Sequence, residues 1–242
     1  MKLAASDRAQ PVTGPVHVGL MVPANNTTME AELLGWLPPG STCHTLRIPR
    51  GQGLLTDETL PAYKEAAIEL CKQFAGLPVD VIAYGCTAAG FILGPAGDND
   101  IARQLAATSG KPVVTTARSM MLALQDMNLK SISLLTPYQD DVNQRLMAFL
   151  QSGDVTVGHF DSFYAADVIA LGRITADEVA ASAHKLCKDD VDALFIACSQ
   201  LPTLDVLGPL GSAWGKPVLS SIQVTAFYAM AALAGRPATE AT

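Results

Sequence analysis

The sequence predicts an α/β fold with mostly parallel sheets, divided into two similar halves. Short apolar runs with strand character alternate with longer segments whose apolar residues recur at helical spacing, a pattern typical of parallel strands joined by helices. Several motifs of the first half recur in the same order in the second half. The 242 residues are enough for two domains of about 120 residues each.

Each strand is predicted from a short apolar run, and each helix from apolar residues that are three or four positions apart. The predicted strands cover residues 16–22, 42–48, 79–84, 113–115, 131–135, 155–160, 193–197 and 217–219. The predicted helices cover residues 28–36, 60–74, 99–108, 119–127, 141–151, 175–186 and 223–233.

Three motifs occur twice, at separations of 114, 112 and 105 residues. Repeats of this length indicate duplicated domains rather than a solenoid, whose period is much shorter. An alternative is that any two parallel strands look alike, but the recurrence of Asp, Cys and Gly-Lys-Pro in order favours duplication. The pairs are residues 19–23 with 133–137, 79–87 with 191–199, and 110–116 with 215–221.

Two cysteines, Cys86 and Cys198, each follow a predicted strand in the repeated motif. Ligands of α/β proteins bind beyond the carboxyl ends of the strands, so we expect the two thiols to face each other across a cleft as candidate catalytic groups. A helix or turn that starts there presents free N–H groups, which lower a thiol pKa and bind a carboxylate. Alternatively, a single buried cysteine is only a small apolar residue. The candidate substrate-binding positions beside the thiols are Thr87, Ala88, Ser199 and Gln200.

Two further segments lie at strand ends and are rich in polar side chains. Residues 22–30 (V-P-A-N-N-T-T-M-E) carry short amides and hydroxyls, which either bind an anionic ligand or cap a helix. Residues 136–143 (T-P-Y-Q-D-D-V-N) are the counterpart in the second half. Tyr138 in that segment either offers its hydroxyl to the ligand or contributes only packing.

Composition excludes several classes of partner. An apolar fraction of 49% and a charged fraction of 16% are typical of a compact domain, and the net charge of −7 argues against nucleic acid or an anionic membrane. The absence of an 18-residue apolar run predicts no membrane span. Residues 1–14 lack the apolar core of a signal peptide and are expected to be a short flexible lead-in. Five cysteines, an odd number, predict free thiols and a cytoplasmic location.

The chain lacks the common motifs for nucleotides, metals and serine nucleophiles. It contains no Walker loop, no G-x-G-x-x-G after a strand, and no H-E-x-x-H, C-x-x-C or G-x-S-x-G. The four histidines show no ligand spacing, and Cys43, Cys71 and Cys187 lack the strand-end context. The prediction is therefore thiol chemistry without a metal or a cofactor.

These motifs resemble the aspartate/glutamate racemase superfamily, and within it the maleate isomerase and arylmalonate decarboxylase branch. The resemblance covers residues 16–235. It implies two domains with parallel four-stranded sheets flanked by helices, related by a pseudo-twofold axis, with the active site between them. It also implies that the C-terminal helix returns to the first domain, which gives residues 15–118 plus 220–242 as one domain and 119–219 as the other.

The resemblance also assigns roles to residues. Asn26 matches an asparagine that binds a substrate carboxylate, and the loop with Tyr138 and Asn143 matches one whose tyrosine contacts the same group. Isomerases and racemases of this branch have both cysteines, whereas the decarboxylases keep only the second. The implied reaction begins with addition of the Cys86 thiolate to the double bond of a cis-enedioate such as maleate, while Cys198 handles a proton and no cofactor takes part.

One position departs from the isomerase pattern. Val168 stands where the isomerases have a second carboxylate-binding asparagine and the decarboxylases have an apolar residue; Asp167 is adjacent. A racemase or an arylmalonate-type decarboxylase acting at the carbon α to a carboxylate therefore remains an alternative, as does a non-enzymatic protein that binds small acids. The expected partner is a small carboxylic acid, and assembly into a homo-oligomer is left open.

Overall fold

The structure, a computed structural model, describes residues 12–51, 53 and 55–234. Most of the predicted lead-in, residues 1–11, lies outside the described residues. All eight predicted strands are present, with ends that differ from the prediction by up to two residues. They are β1 (His17–Pro23), β2 (Thr42–Ile48), β3 (Val81–Tyr84), β4 (Val113–Thr115), β5 (Ser131–Thr136), β6 (Thr156–Ser162), β7 (Ala193–Ile196) and β8 (Val218–Ser220).

The strands form two parallel sheets of four strands with the same topology, which confirms the predicted α/β fold of two similar halves. The order is β2-β1-β3-β4 in the first sheet and β6-β5-β7-β8 in the second. Both β3 and β7 are buried at every residue, because helices cover both faces of each sheet. The two edge strands, β2 and β6, are only partly buried.

Within the described part of the chain, the seven predicted helices are present together with three α-helices that the sequence pattern did not predict. Of these three, α3 and α7 have five residues each, and α9 contains Gly208, Pro209 and Gly211, which are poor helix formers. The helices are α1 (Met29–Trp36), α2 (Leu60–Cys71), α3 (Thr87–Phe91), α4 (Gly94–Ser109), α5 (Thr116–Asp126), α6 (Asp140–Gln151), α7 (Val168–Gly172), α8 (Ala176–Lys185), α9 (Leu204–Trp214) and α10 (Ser221–Leu233).

The sequence repeat has a structural counterpart in detail. Gly110 and Gly215 end α4 and α9 with positive φ angles of 68° and 79°, a conformation in which glycine is favoured. Thr115 and Ser220 then cap the helices α5 and α10 with their side-chain oxygens. These two equivalent helices pack against each other, as expected of two halves related by a pseudo-twofold axis.

The last helix, α10, packs against α1, β3 and β4, all of which belong to or cover the first sheet. The division into residues 15–118 plus 220–242 and residues 119–219 remains a proposal, and its boundary at 118/119 falls within α5. Within the described ranges, no helix is both long and apolar enough to cross a lipid bilayer.

Candidate active site

Cys86 and Cys198 line one small cavity of about 40 Å³ between the two halves. Cys86 precedes α3 after the end of β3, and Cys198 lies two residues after β7. Each cysteine is only 5% exposed. The repeated strand-end motif therefore brings two thiols from different halves to one enclosed space. The lining residues are Pro23, Asn25, Asn26, Arg50, Leu55, Cys86, Thr87, Ala88, Tyr138, Val142, Leu171, Cys198, Ser199 and Gln200.

Eight of the ten predicted site residues line this cavity, and Asn143 and Val168 do not. Asn143 is buried and donates to the carbonyl oxygen of Tyr138 at 2.8 Å, while its own oxygen accepts from the Thr136 hydroxyl at 2.6 Å. It therefore holds the loop that carries Tyr138. Val168 is buried in the first turn of α7, and Leu171 of the same helix contributes to the cavity wall instead.

The N-terminus of α3 provides backbone donors at the first thiol. The first N–H groups of a helix have no acceptor within the helix. Those of Ala88 and Ala89 lie close enough to the Cys86 sulfur to stabilise a thiolate. The second half has an analogous contact, in which the Gln200 N–H donates to the Cys198 sulfur at 3.4 Å. Both thiols thus lie beside backbone donors, as the strand-end motif predicted.

Polar side chains next to the cavity join the two halves. The Asn26 amide donates to the carbonyl oxygen and hydroxyl of Ser199 at 3.1 and 3.2 Å, and the Ser199 hydroxyl donates to Gly85 O at 2.7 Å. The Gln200 amide accepts from Thr27 N at 3.1 Å and donates to the Thr27 hydroxyl at 3.0 Å. These side chains therefore fix the relative position of the two thiols.

Asn25 and Asn26 are in different situations although they are adjacent. The Asn26 side-chain oxygen accepts from Thr28 N and Met29 N at 3.1 and 2.9 Å, so both ends of its amide are engaged. The Asn25 side-chain oxygen is buried and has no hydrogen-bond partner among the described residues. Of the two amides, that of Asn25 is the one with an unused polar atom at the cavity.

Several buried polar atoms lie at this cavity without a protein partner of good hydrogen-bond geometry. Among the residues that the structure describes, Asn25 Oδ1 and Arg50 Nε have no hydrogen-bond partner, and the hydroxyls of Tyr63 and Tyr138 approach the thiols of Cys86 and Cys198. Leaving a buried polar group unpaired costs about 1–3 kcal/mol, so such groups are rare in folded proteins. A cluster of them around two thiols indicates a site for a polar ligand.

Burial is the dominant influence on both thiols. It raises the pKa of Cys86 above its ordinary value and that of Cys198 to about 11. The expectation of a lowered thiol pKa is therefore wrong for this structure, because desolvation outweighs the helix N–H groups. Besides backbone N–H groups, the Arg50 charge and the Tyr63 hydroxyl lower the pKa of Cys86, and the Tyr138 hydroxyl lowers that of Cys198. Cys86, which has the nearby cation, is the better candidate for the thiolate.

Sequence reasoning missed Arg50 and Tyr63. Arg50 follows the carboxyl end of β2, and this strand-end position was the feature that identified the other site residues. Tyr63 lies in α2, at a position that looks like an ordinary apolar contact in a helix pattern. Its approach to Cys86 depends on how α2 packs.

The remaining cysteines have local roles. Cys71 is buried and donates to Leu105 O at 3.6 Å, Cys187 donates to Ala183 O at 3.5 Å, and Cys43 is half-buried on β2. Among the described residues, no three His, Cys, Asp or Glu side chains are placed to hold a metal ion.

A family model described as arylmalonate decarboxylase matches residues 18–242. The chain belongs to the arylmalonate decarboxylase family. Within this branch, a maleate isomerase of Nocardia farcinica is 27% identical over 227 residues, which are 90% of each chain. An arylmalonate decarboxylase of Bordetella bronchiseptica is 26% identical over 174 residues, 71% of this chain and 72% of that protein.

The fold is also similar to a solved structure of a family relative. A cysteine-to-serine mutant of Nocardia farcinica maleate cis-trans isomerase with a covalently bound succinylcysteine intermediate superimposes with a TM-score of 0.79. That chain is 27% identical, and the match covers 88% of this chain and 90% of the other. Relatives in the arylmalonate decarboxylase family thus include both an isomerase and a decarboxylase, so the site residues must distinguish the two reactions.

Proposed function

We propose that this protein is a cofactor-independent cis–trans isomerase of a maleate-like dicarboxylate. The observation that carries the proposal is the pair of thiols, Cys86 and Cys198, that line one cavity from opposite halves. A decarboxylase needs one group to deliver a proton after loss of carbon dioxide, whereas covalent isomerisation needs a nucleophile in addition to a proton carrier. Two thiols at one cavity provide both.

The first step is addition of the Cys86 thiolate to the double bond. A bond forms between sulfur and one alkene carbon, and the π electrons move onto the adjacent carboxylate as an enediolate. The backbone N–H groups at the start of α3, which lie at the Cys86 sulfur, and the hydroxyls of Thr87 and Tyr138, which line the cavity, are the candidate donors that stabilise this charge.

The second step is rotation about the former double bond, which is now a single bond. The enediolate electrons then re-form the double bond and expel the Cys86 thiolate, which gives the trans product. Before elimination, Cys198 can protonate the carbanionic carbon of the adduct, and it then removes that proton again so that the double bond can re-form. Substrate and product are isomers, so the reaction needs no external oxidant or reductant. The succinylcysteine intermediate of the Nocardia farcinica relative supports a covalent route of this kind.

The test is conversion of maleate to fumarate, followed by proton nuclear magnetic resonance. Cys86→Ala is expected to lose at least about 10³-fold in kcat, because no other group at the site replaces the covalent nucleophile. Cys71→Ala, which removes a buried thiol from the same half, is the matched control and keeps its activity. Full activity of Cys86→Ala with an unchanged circular dichroism spectrum would contradict the covalent route.

A racemase or decarboxylase acting at the carbon α to a carboxylate is the second candidate. The observation in its favour is the apolar part of the cavity wall, formed by Leu55, Val142 and Leu171. An apolar wall suits a substrate with an aryl or alkyl group. Uptake of solvent deuterium at the α-carbon of a chiral acid, together with no fumarate formed from maleate, would favour this alternative.

A further inference from the structure

We infer that Arg50 binds the second carboxylate of the substrate and makes the site selective for dicarboxylates over monocarboxylates. The inference rests on the proposed function and extends it to one residue outside the predicted site. Position 168 is a valine, so it provides no amide for a second carboxylate, whereas Arg50 lines the cavity.

Arg50 is held at the cavity with donors to spare. It follows β2 and is half-buried, and its Nη2 donates to the carbonyl oxygen of Gly53 at 2.5 Å. Its Nε is buried and has no hydrogen-bond partner in the described part of the chain. A guanidinium carries five N–H donors in a rigid plane and binds a carboxylate through two of them. The bond to Gly53 anchors the group while other donors remain for a ligand.

The charge of Arg50 is not neutralised by the protein. Among the described residues that line the cavity, it is the only charged side chain. It forms no ion pair with any described residue, whereas the nearby Arg47 pairs with Glu30 at 3.1 Å and donates to Asn26 O at 2.5 Å. Arg50 also lines a second, larger cavity that includes Glu58, so it is only partly shielded from water. A cation without an ion-pair partner still attracts an anion at such a site, and a guanidinium suits a carboxylate in particular.

The rest of the site leaves one place for the second carboxylate. The backbone donors of α3 and Tyr138 surround the thiols and suit the carboxylate that becomes the enediolate. Leu55 and Leu171 contribute apolar surface to the cavity and offer no side-chain donor. A carboxylate without donors is unstable, and among the described residues that line the cavity only Arg50 carries a positive charge, so we assign the second carboxylate to Arg50 rather than to the neutral Asn25 amide.

The position of Arg50 relative to the reacting sulfur agrees with this assignment. Its charge lowers the pKa of Cys86, against the larger opposite effect of burial. Both residues also line the same small cavity. The same cation then contacts the substrate at one end and favours the attacking thiolate near the other.

The test compares a saturated, unreactive diacid with its monoamide, succinate with succinamate, by isothermal titration calorimetry. The quantity measured is the ratio of the Kd of succinamate to the Kd of succinate. Arg50→Gln is expected to lower this ratio by roughly 10- to 100-fold, because charge-assisted hydrogen bonds to one carboxylate are lost. Arg50→Lys, which keeps the charge without the planar fork, is expected to lower the ratio by a smaller factor.

The matched control is Arg103→Gln, which removes one positive charge from an exposed pair on α4 and should leave the ratio unchanged. A ratio that is equal in the wild type and Arg50→Gln would overturn the inference, as would a wild type that binds neither acid. Because neither ligand reacts, the outcome does not depend on turnover. A wild type that shows this selectivity but leaves maleate unchanged would refute the proposed isomerase function and not the role of Arg50.

Discussion

Substitution of Gly90 by alanine tests whether the position of α3 controls the chemistry. Gly90 lies one turn after Cys86, and its N–H donates to Cys86 O at 3.2 Å. A Cβ atom added there would lie 2.5 Å from the Ala117 Cβ on α5 and 2.8 Å from the buried Asp98 Oδ1. The Ala117 Cβ is attached directly to the backbone of α5, and the Asp98 carboxylate accepts a hydrogen bond from the Thr115 hydroxyl at 2.8 Å, which restrains it. The helix itself must therefore move away from α5.

The size of the effect follows from these distances. Carbon atoms pack at about 3.5 Å or more, so relief of the contact requires a shift of about 1 Å. Overpacking costs about 1–3 kcal/mol, and alanine in a helix regains about 0.5–1 kcal/mol over glycine. The net loss of about 0–2.5 kcal/mol corresponds to a fall in Tm of up to about 10 °C for a chain of this size. A 1 Å displacement of catalytic groups lowers kcat/KM by about 10²-fold.

The assay measures Tm by circular dichroism and kcat/KM for maleate on the same preparations. The control is Gly208→Ala in α9, where an added Cβ meets no atom within 4 Å. Gly208→Ala should keep its activity. The stability that alanine usually gains over glycine in a helix is opposed there by Pro209, because a side chain on the residue before proline disfavours helical backbone. If Gly90→Ala kept an unchanged Tm and a kcat/KM within twofold of the wild type, the position of α3 would not control the chemistry.

Three further predictions concern buried ionisable groups. Because burial raises the pKa of Cys86, we expect kcat/KM to rise with pH from 7 to beyond 9 as the free enzyme's thiolate forms, and a profile that is flat from pH 6 would contradict this. Burial raises the pKa of Cys198 to about 11 from an ordinary 9.0, so the folded protein holds this proton more tightly than the unfolded chain does. The resulting contribution to the free energy of unfolding is complete below pH 9 and is lost as pH rises towards 11. Denaturant titrations at several pH values measure this loss. Glu32 on α1 accepts a hydrogen bond from the buried Thr203 N–H, just before α9, at 2.7 Å. Glu32→Ala leaves this N–H unpaired and should lower the free energy of unfolding by about 1–3 kcal/mol. The control is Glu30→Ala, which removes an exposed ion pair with Arg47 and should cost less than about 1 kcal/mol.

The sequence was sufficient to predict the fold and the two thiols because both depend on local patterns. An apolar run ending in Cys and a hydroxyl residue identifies a strand end, and its repetition places Cys86 and Cys198 at equivalent edges of two sheets. The Gly-Lys-Pro motifs likewise correspond to Gly110 and Gly215, which end helices with positive φ. Such patterns can be recognised in the sequence because they specify the local backbone conformation directly.

The parts that could not be predicted depend on contacts between distant segments. Arg50 and Tyr63 approach Cys86 only because the connection after β2 and the helix α2 fold against the end of β3. Helix α9 was missed because Gly208 and Pro209 weaken the local helix pattern, and packing of its buried Leu207 and Leu210 outweighs that preference. The raised thiol pKa values arise from burial, which a motif does not reveal.

Covalent trapping in Cys198→Ser tests the central claim most directly. The variant keeps the proposed nucleophile and lacks the thiol proposed to remove the proton before elimination. Once the carbanion of the adduct has taken a proton from water, the resulting succinyl thioether should therefore persist. Intact mass measurement after incubation should show an increase equal to one maleic acid, and peptide mapping should place it on Cys86. An adduct on Cys43, Cys71 or Cys187, or no adduct while Cys86→Ala still forms fumarate, would contradict a covalent mechanism at this two-thiol site.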